Sequence, residues 1–135
     1  MNPKSIQIIQ ECARQSLAGE IDFPEVLSRL NGMGVERYHA DYSRQEITYY
    51  WPDGESLVVP SPYPAHATAI AFSPARIEAA VRQSQRGEHT YADFVAKTMA
   101  AGCVGYFTQL TGRQVIYFGR GGESHVERFP TTPAE

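Results

Sequence analysis

The chain has 135 residues, a formal net charge of −3 and a composition that is 42% hydrophobic and 20% charged. This length fits one domain with a sizeable core. The acidic balance argues against a nucleic-acid partner, because phosphate binding requires clustered Lys and Arg. No apolar run approaches the roughly 20 residues that span a bilayer, and no signal-peptide core follows the N-terminus. We therefore predict a cytoplasmic protein without a membrane partner.

The cysteine content indicates no cofactor or metal site. Cys12 and Cys103 are the two cysteines, and they form neither a CxxC pair nor part of a His cluster with zinc spacing. Two buried free thiols in a reducing compartment are favoured over a disulfide.

The first half of the chain predicts two helices followed by three strands. Apolar residues recur at helical spacing from Ile6 to Leu17, and Gly19 is a typical helix stop. Asp22 and the residues after it form a helix start, with a proline in the first turn, and Gly34 closes this second helix. Sequence rich in aromatic and β-branched residues then predicts strands over 35–42, 46–51 and 56–59.

The second half predicts the same order of elements. Helices begin at Ser73-Pro74 and at Thr90, and they end at Gly87 and Gly102. Strands are predicted over 103–110, 114–119 and 124–129, with short turns that favour antiparallel pairing.

An internal duplication explains this parallel order. When the sequence is shifted by 68 residues, 13 of the 50 positions from Ile9 to Val58 are identical, whereas chance would give roughly three. We predict one α+β domain, residues 1–135, built from repeats at about 4–59 and 73–129 that are joined by the proline-rich connector 60–72. The αα-βββ units should form a two-layer sandwich, with helices on one face of a mainly antiparallel six-stranded sheet.

Alternation along the strands sorts the side chains into two faces. Identities between the halves lead us to place one set on the helix-covered core: Tyr38, Ala40, Tyr42, Ile47, Tyr49 and Val58, with Tyr106, Thr108, Leu110, Val115, Tyr117 and Val126. The remaining set is predicted to form a second face: Arg37, His39, Asp41, Thr48, Tyr50, Leu57 and Val59, with Gly105, Phe107, Gln109, Ile116, Phe118, His125, Glu127 and Phe129.

The second face is too apolar to be left bare, so something should cover it. A homodimer partner, the connector with Ala69–Phe72, and a bound ligand are the three alternatives. The interface or ligand candidates on this face are Arg37, His39, Asp41, Tyr50, Phe107, Phe118, His125, Glu127 and Phe129.

Two His/acid pairs are the strongest chemical signal in the sequence. His39 and Asp41 share one strand face, and His125 and Glu127 share another. If they met, the four side chains could support acid–base chemistry or bind a metal. Hydrogen-bonded pairs at the sheet surface are the alternative that we favour, because neither spacing is diagnostic of zinc.

Other motifs point to structure. Gly119-Arg120-Gly121-Gly122 lacks the Lys-Ser/Thr of a P-loop and precedes a strand, so it predicts a turn. Cys103 has no activating His nearby, and no sequence motif of a catalytic site occurs, so no catalytic residue is assigned.

Several segments together resemble a bacterial and prophage family of unknown function that is often labelled phage envelope protein-like and includes YbcV- and YdfO-type proteins. The matching segments are Ser16–Gly19, Phe23-Pro24, Gly34–Tyr38, Thr48–Tyr50, Met99–Tyr106 and Val115–Gly119. The resemblance implies a small α+β domain of bacterial or prophage origin, with no assigned activity, cofactor or functional residues.

Two functional hypotheses follow. The first is a non-catalytic binding or protein-interaction module, homodimeric through the second face, with an unidentified protein or small molecule as a further partner. The second is a ligand-binding protein or enzyme that uses the His/carboxylate cluster.

Overall fold

A computed structural model describes residues 2–64 and 66–130. The N-terminal Met1, residue 65 of the connector and the C-terminal end of the predicted domain, residues 131–135, lie outside the described part. The elements are α1 (Pro3–Leu17), α2 (Phe23–Gly32), β1 (Arg37–Asp41), β2 (Glu46–Tyr50), β3 (Ser56–Pro60), α3 (Pro74–Gln85), α4 (Tyr91–Ala100), β4 (Cys103–Gln109), β5 (Gln114–Gly119) and β6 (Ser124–Arg128).

The six strands form one antiparallel sheet in the order β3-β2-β1-β4-β5-β6. The predicted α+β class and six-stranded antiparallel sheet are thereby confirmed. β1 and β4 are the central pair. The first half of the chain therefore supplies the three strands on one side of the sheet's midline, and the second half supplies the three on the other. A common origin of the halves stays a prediction.

Polar caps begin all four helices. The side chains of Asn2, Asp22, Ser73 and Thr90 each accept a hydrogen bond from the backbone N–H three residues later. These bonds satisfy amides that have no partner within the helix. The starts predicted from Asp22, Ser73 and Thr90 are therefore confirmed.

The core lies between the helices and one side of the sheet, which we call the covered face. Tyr38, Tyr49, Tyr106 and Tyr117 project from this face and are at most 5% exposed. Their rings pack against one another and against Phe94 of α4. The two cysteines are also buried here as free thiols, as the sequence predicts.

The register of the two edge strands corrects the predicted faces. Ile47 pairs with Val59 and Val115 pairs with Glu127, which places Leu57, Val59, His125, Glu127 and Phe129 on the covered side. Val58 and Val126 instead face outward, with exposures of 52% and 47%. The prediction for these seven residues was wrong because identity between the halves was taken as a sign of burial.

The physical reason for the register is the turn geometry. Gly54 and Gly122 have positive φ angles of 94° and 89°. The backbone N–H groups of Trp51 and Gly119 donate hydrogen bonds to the carbonyls of Glu55 and Glu123. The three residues between these partners fix which side chains share a face.

The connector packs on the covered side of the sheet. The ring of Tyr63 contacts Tyr42 and Tyr91, and the backbone N–H groups of Ala69 and Ser73 donate to carbonyls of Met99 and Ala101. The alternative in which the connector covers the second face is therefore wrong for its described residues.

Candidate functional site

The side of the sheet opposite the helices, which we call the open face, carries three rows of side chains. The registers define each row across the six strands. The first row is Ser56, Tyr50, Arg37, Gln109, Gln114 and Arg128; the middle row is Val58, Thr48, His39, Phe107, Ile116 and Val126; the third row is Pro60, Glu46, Asp41, Gly105, Phe118 and Ser124.

A stacked pair of rings occupies the centre of the open face. His39 and Phe107 are direct partners across β1 and β4, and their ring centroids lie 4.4 Å apart with an interplanar angle of 9°. These residues are also 68 positions apart in the sequence. The two rings therefore occupy equivalent positions in the predicted repeats.

Apolar side chains extend from this centre towards β6. Phe118 packs edge-on against Phe107, with ring centroids 6.1 Å apart, and Ile116 and Val126 continue the middle row across β5 and β6. Rings at this separation stabilise each other beyond their buried area. Phe107, Ile116 and Phe118 are partly buried and Val126 is exposed. Together they form a continuous apolar strip rather than isolated surface residues.

Charged side chains border the strip, with arginines along one side and carboxylates along the other. Arg37 and Arg128 lie in the first row, whereas Asp41 and Glu46 lie in the third, where Glu46 also pairs with Arg44. The guanidinium of Arg37 lies 4.3 Å from the centroid of the Tyr50 ring, and it also pairs with Glu36. The cation over the ring is held in place at the border of the strip.

The predicted four-residue centre does not form. His39 and Asp41 lie on the open face, whereas His125 and Glu127 lie on the covered side. Strands β1 and β6 are also three strand spacings apart, about 14 Å. The ligand-binding or enzyme hypothesis based on a His/carboxylate cluster on one open face is thus wrong in its geometry.

Most of the other candidate residues are on the predicted side. Arg37, Tyr50, Phe107 and Phe118 lie on the open face. Phe129 packs against the core from the covered side, where its ring lies nearly perpendicular to that of Phe23 at a centroid distance of 5.9 Å.

His125 and Glu127 join a group that sequence reasoning missed. Nε2 of His125 lies 2.6 Å from Oε2 of Glu127, and Arg82 of α3 pairs with the other carboxylate oxygen at 3.1 Å. Glu78, also on α3, brings its carboxylate within 4.8 Å of both. The signal that could have found it is the shift of 68 residues, which places Glu78 on Gln10 and Glu127 on Val59.

Neither thiol has the environment of a nucleophile. Burial raises the pKa of Cys103 to about 11, with hydrogen bonding to backbone groups as a smaller opposing effect. Burial also raises the pKa of Cys12. Thiolate is the reactive form, so both side chains stay protonated and inert at neutral pH.

Comparison with known families assigns the chain. Residues 10–127 match the family described as Protein of unknown function (DUF1398). The chain belongs to this family. The match spans both halves, and its description carries no envelope or phage function, so that part of the resemblance stays a prediction. A search of curated proteins found no match.

One further finding concerns membranes. Within residues 2–64 and 66–130, every helix is too short or too polar to cross a bilayer.

Proposed function

We propose that this member of the DUF1398 family is a non-catalytic protein-interaction module whose open face binds a second copy of the chain. The observation that carries the proposal is the apolar strip with borders of opposite charge. Because the described connector residues pack on the other side of the sheet, the strip is available to a partner. Apolar strips of this kind mark interaction surfaces.

The charges select one orientation of the two copies. In a face-to-face dimer the two-fold axis lies in the interface, either along the strands or across them. An axis along the strands would place each row against the same row of the other copy, so the row that contains Arg37 and Arg128 would face itself. An axis across the strands places Arg37 of one copy over Asp41 of the other, twice. Opposite charges attract and like charges repel, so the second arrangement is favoured.

The axis across the strands also brings the apolar residues of the two copies together. The middle row lies on the axis, so Ile116, Phe107 and Val126 each face their own copy. Sheets packed with nearly aligned strands bury such side chains between them, about 10 Å apart. The apolar rows then form the centre of the interface and the charges form its rim.

The size of the face predicts a dimer of moderate affinity. Six strands of five residues measure about 29 by 17 Å, which is at the small end of specific interfaces. We expect the dimer to dissociate on dilution, so its mass must be measured over a range of concentrations.

Light scattering after size exclusion tests the proposal with a matched pair of variants. The chain of 15.0 kDa should approach twice this mass at high concentration. Ile116→Lys places like charges against each other at the centre and should leave a monomer. The control Ile70→Lys alters a connector side chain that is 81% exposed, and should dimerise like the wild type. A wild-type monomer at every concentration, or a dimer that tolerates Ile116→Lys, would contradict the proposal.

A further inference from the structure

The corner between α3 and β6 holds three potential metal ligands. Glu78, His125 and Glu127 each offer one ligand atom, and these atoms all lie within 4.8 Å of one another. In the described residues this is the one group of three or more His, Cys, Asp or Glu side chains with such spacing. The side chains of His125 and Glu127 are only 18% and 12% exposed.

The equivalent corner of the first half contains no such group. The shift of 68 residues places Gln10 on Glu78, Leu57 on His125, and Val59 on Glu127. In this corner α1 packs on β3 through apolar side chains, with Val59 buried. The arginine is the part that both corners retain, as Arg14 and Arg82.

The difference between the two corners shows which residues are needed to attach the helix and which are not. A helix can be held on an edge strand by Leu and Val, as the first half demonstrates. Replacing them with an imidazole and a carboxylate brings a desolvation cost that apolar packing avoids. Three replacements that converge on one point therefore indicate a function other than attachment of the helix.

We propose that Glu78, His125 and Glu127 bind a divalent transition-metal ion. One imidazole nitrogen with two carboxylates suits ions such as Zn²⁺ or Co²⁺ rather than Mg²⁺, which prefers oxygen ligands. Metal–ligand distances of about 2.0–2.2 Å set the ligand atoms roughly 3.0–3.4 Å apart, so the contact between His125 and Glu127 must open by roughly half an ångström or more. Further coordination positions would remain for water or a ligand.

Arg82 has a supporting role in this site. It pairs with Oε1 of Glu127 and, at 3.6 Å, with Oε1 of Glu78, whereas the Glu127 oxygen that faces His125 is Oε2. The arginine can therefore hold the carboxylate in place without occupying its metal-facing oxygen. Hydrogen-bonded partners of this kind orient metal ligands in many sites.

Metal binding should open the contact between His125 and Glu127. The 2.6 Å contact between His125 Nε2 and Glu127 Oε2 holds a hydrogen between the two atoms, and the metal would take its place. In a neutral imidazole this hydrogen can move to Nδ1, which leaves Nε2 to bind the metal.

Titration calorimetry with Zn²⁺ and Co²⁺ tests the site, with visible absorption of bound Co²⁺ as a second readout. We expect one saturable site per chain and at least about tenfold weaker binding of Mg²⁺. The triple variant Glu78→Gln, His125→Leu and Glu127→Val copies the first-half corner, so it should fold and lose saturable binding.

A second variant controls for adventitious histidine binding. His66 is exposed on the connector, so His66→Leu should bind Zn²⁺ as the wild type does. Absence of saturable binding by the wild type would overturn the proposal. Equal binding by the folded triple variant, or loss of binding in His66→Leu, would also overturn it.

Discussion

The two halves of this chain share a backbone plan but differ in what they place on it. Each half has two capped helices and a three-stranded meander with the same registers. At the centre of the open face, however, the first half contributes His39 and the second contributes Phe107. At the edge strands, the first half has Leu57 and the second has His125. Identity between the halves does not by itself mark the core, since Val58 and Val126 both face outward. We infer that interaction and chemistry are to be sought at positions that diverge towards polar or aromatic residues.

The largest expected effect is the loss of stability at high pH, which tests whether the halves form one cooperative core. Seven of the eight tyrosines have a pKa raised above 10.0, chiefly by burial. Their protonated form stabilises the fold fully below pH 10, and this stability is lost as the pH rises above that value. Each tyrosine that ionises only on unfolding costs about 1.4 kcal/mol of stability per pH unit, so stability should fall steeply as the pH rises above 10.

Absorbance at 295 nm and far-ultraviolet circular dichroism, recorded together, would measure this transition. Tyr38 and Tyr42 of the first half both contact Tyr106 of the second, so tyrosine ionisation and loss of structure should coincide in one step. Ionisation of several buried tyrosines before the circular dichroism changes would show that the halves open separately.

The next effect compares two glycines that end equivalent helices. Gly34 and Gly102 both have positive φ angles, 78° and 88°, so alanine is strained at either position by about 1–2 kcal/mol. A Cβ at Gly102 would also lie 2.3 Å from the carbonyl oxygen of Ala71, whereas the nearest atom at Gly34 is a side-chain carbon of Trp51 at 3.8 Å.

Gly102→Ala should therefore destabilise the protein by about 1–3 kcal/mol more than Gly34→Ala, because the connector backbone must move. Urea unfolding of the two variants at equal protein concentration measures the difference. Equal losses would mean that the connector yields without cost and that the second half is no more tightly packed at this point.

The elements of the fold could be read from the sequence because their signals are local. Asp22 and Thr90 mark helix starts, and Gly54 and Gly122 mark turns within a few residues of the strands that they join. The open-face positions of His39 and Phe107 followed from alternation along the central strands, which are paired on both sides.

The features that were predicted wrongly or missed depend on contacts between distant parts of the chain. Val58 and Val126 were placed in the core because they are identical, but the hairpin register turns them outward. The cluster at the corner needs Glu78 of α3 beside His125 of β6, and only tertiary packing brings a helix residue against that strand. No local motif encodes this approach, although the divergence between the halves marks its position.

Complementary charge reversal tests the central claim, that the open face binds a second copy with the axis across the strands. In Arg37→Asp, the introduced carboxylate of each copy would face Asp41 of the other. In Asp41→Arg, the introduced guanidinium of each copy would face Arg37 of the other. Both variants therefore bring like charges together, and each alone should be monomeric. An equimolar mixture restores both opposite-charge contacts and should form a heterodimer, which sedimentation equilibrium would detect. Dimers of either variant alone with the wild-type affinity, or a mixture that stays monomeric while the wild type dimerises, would contradict the claim.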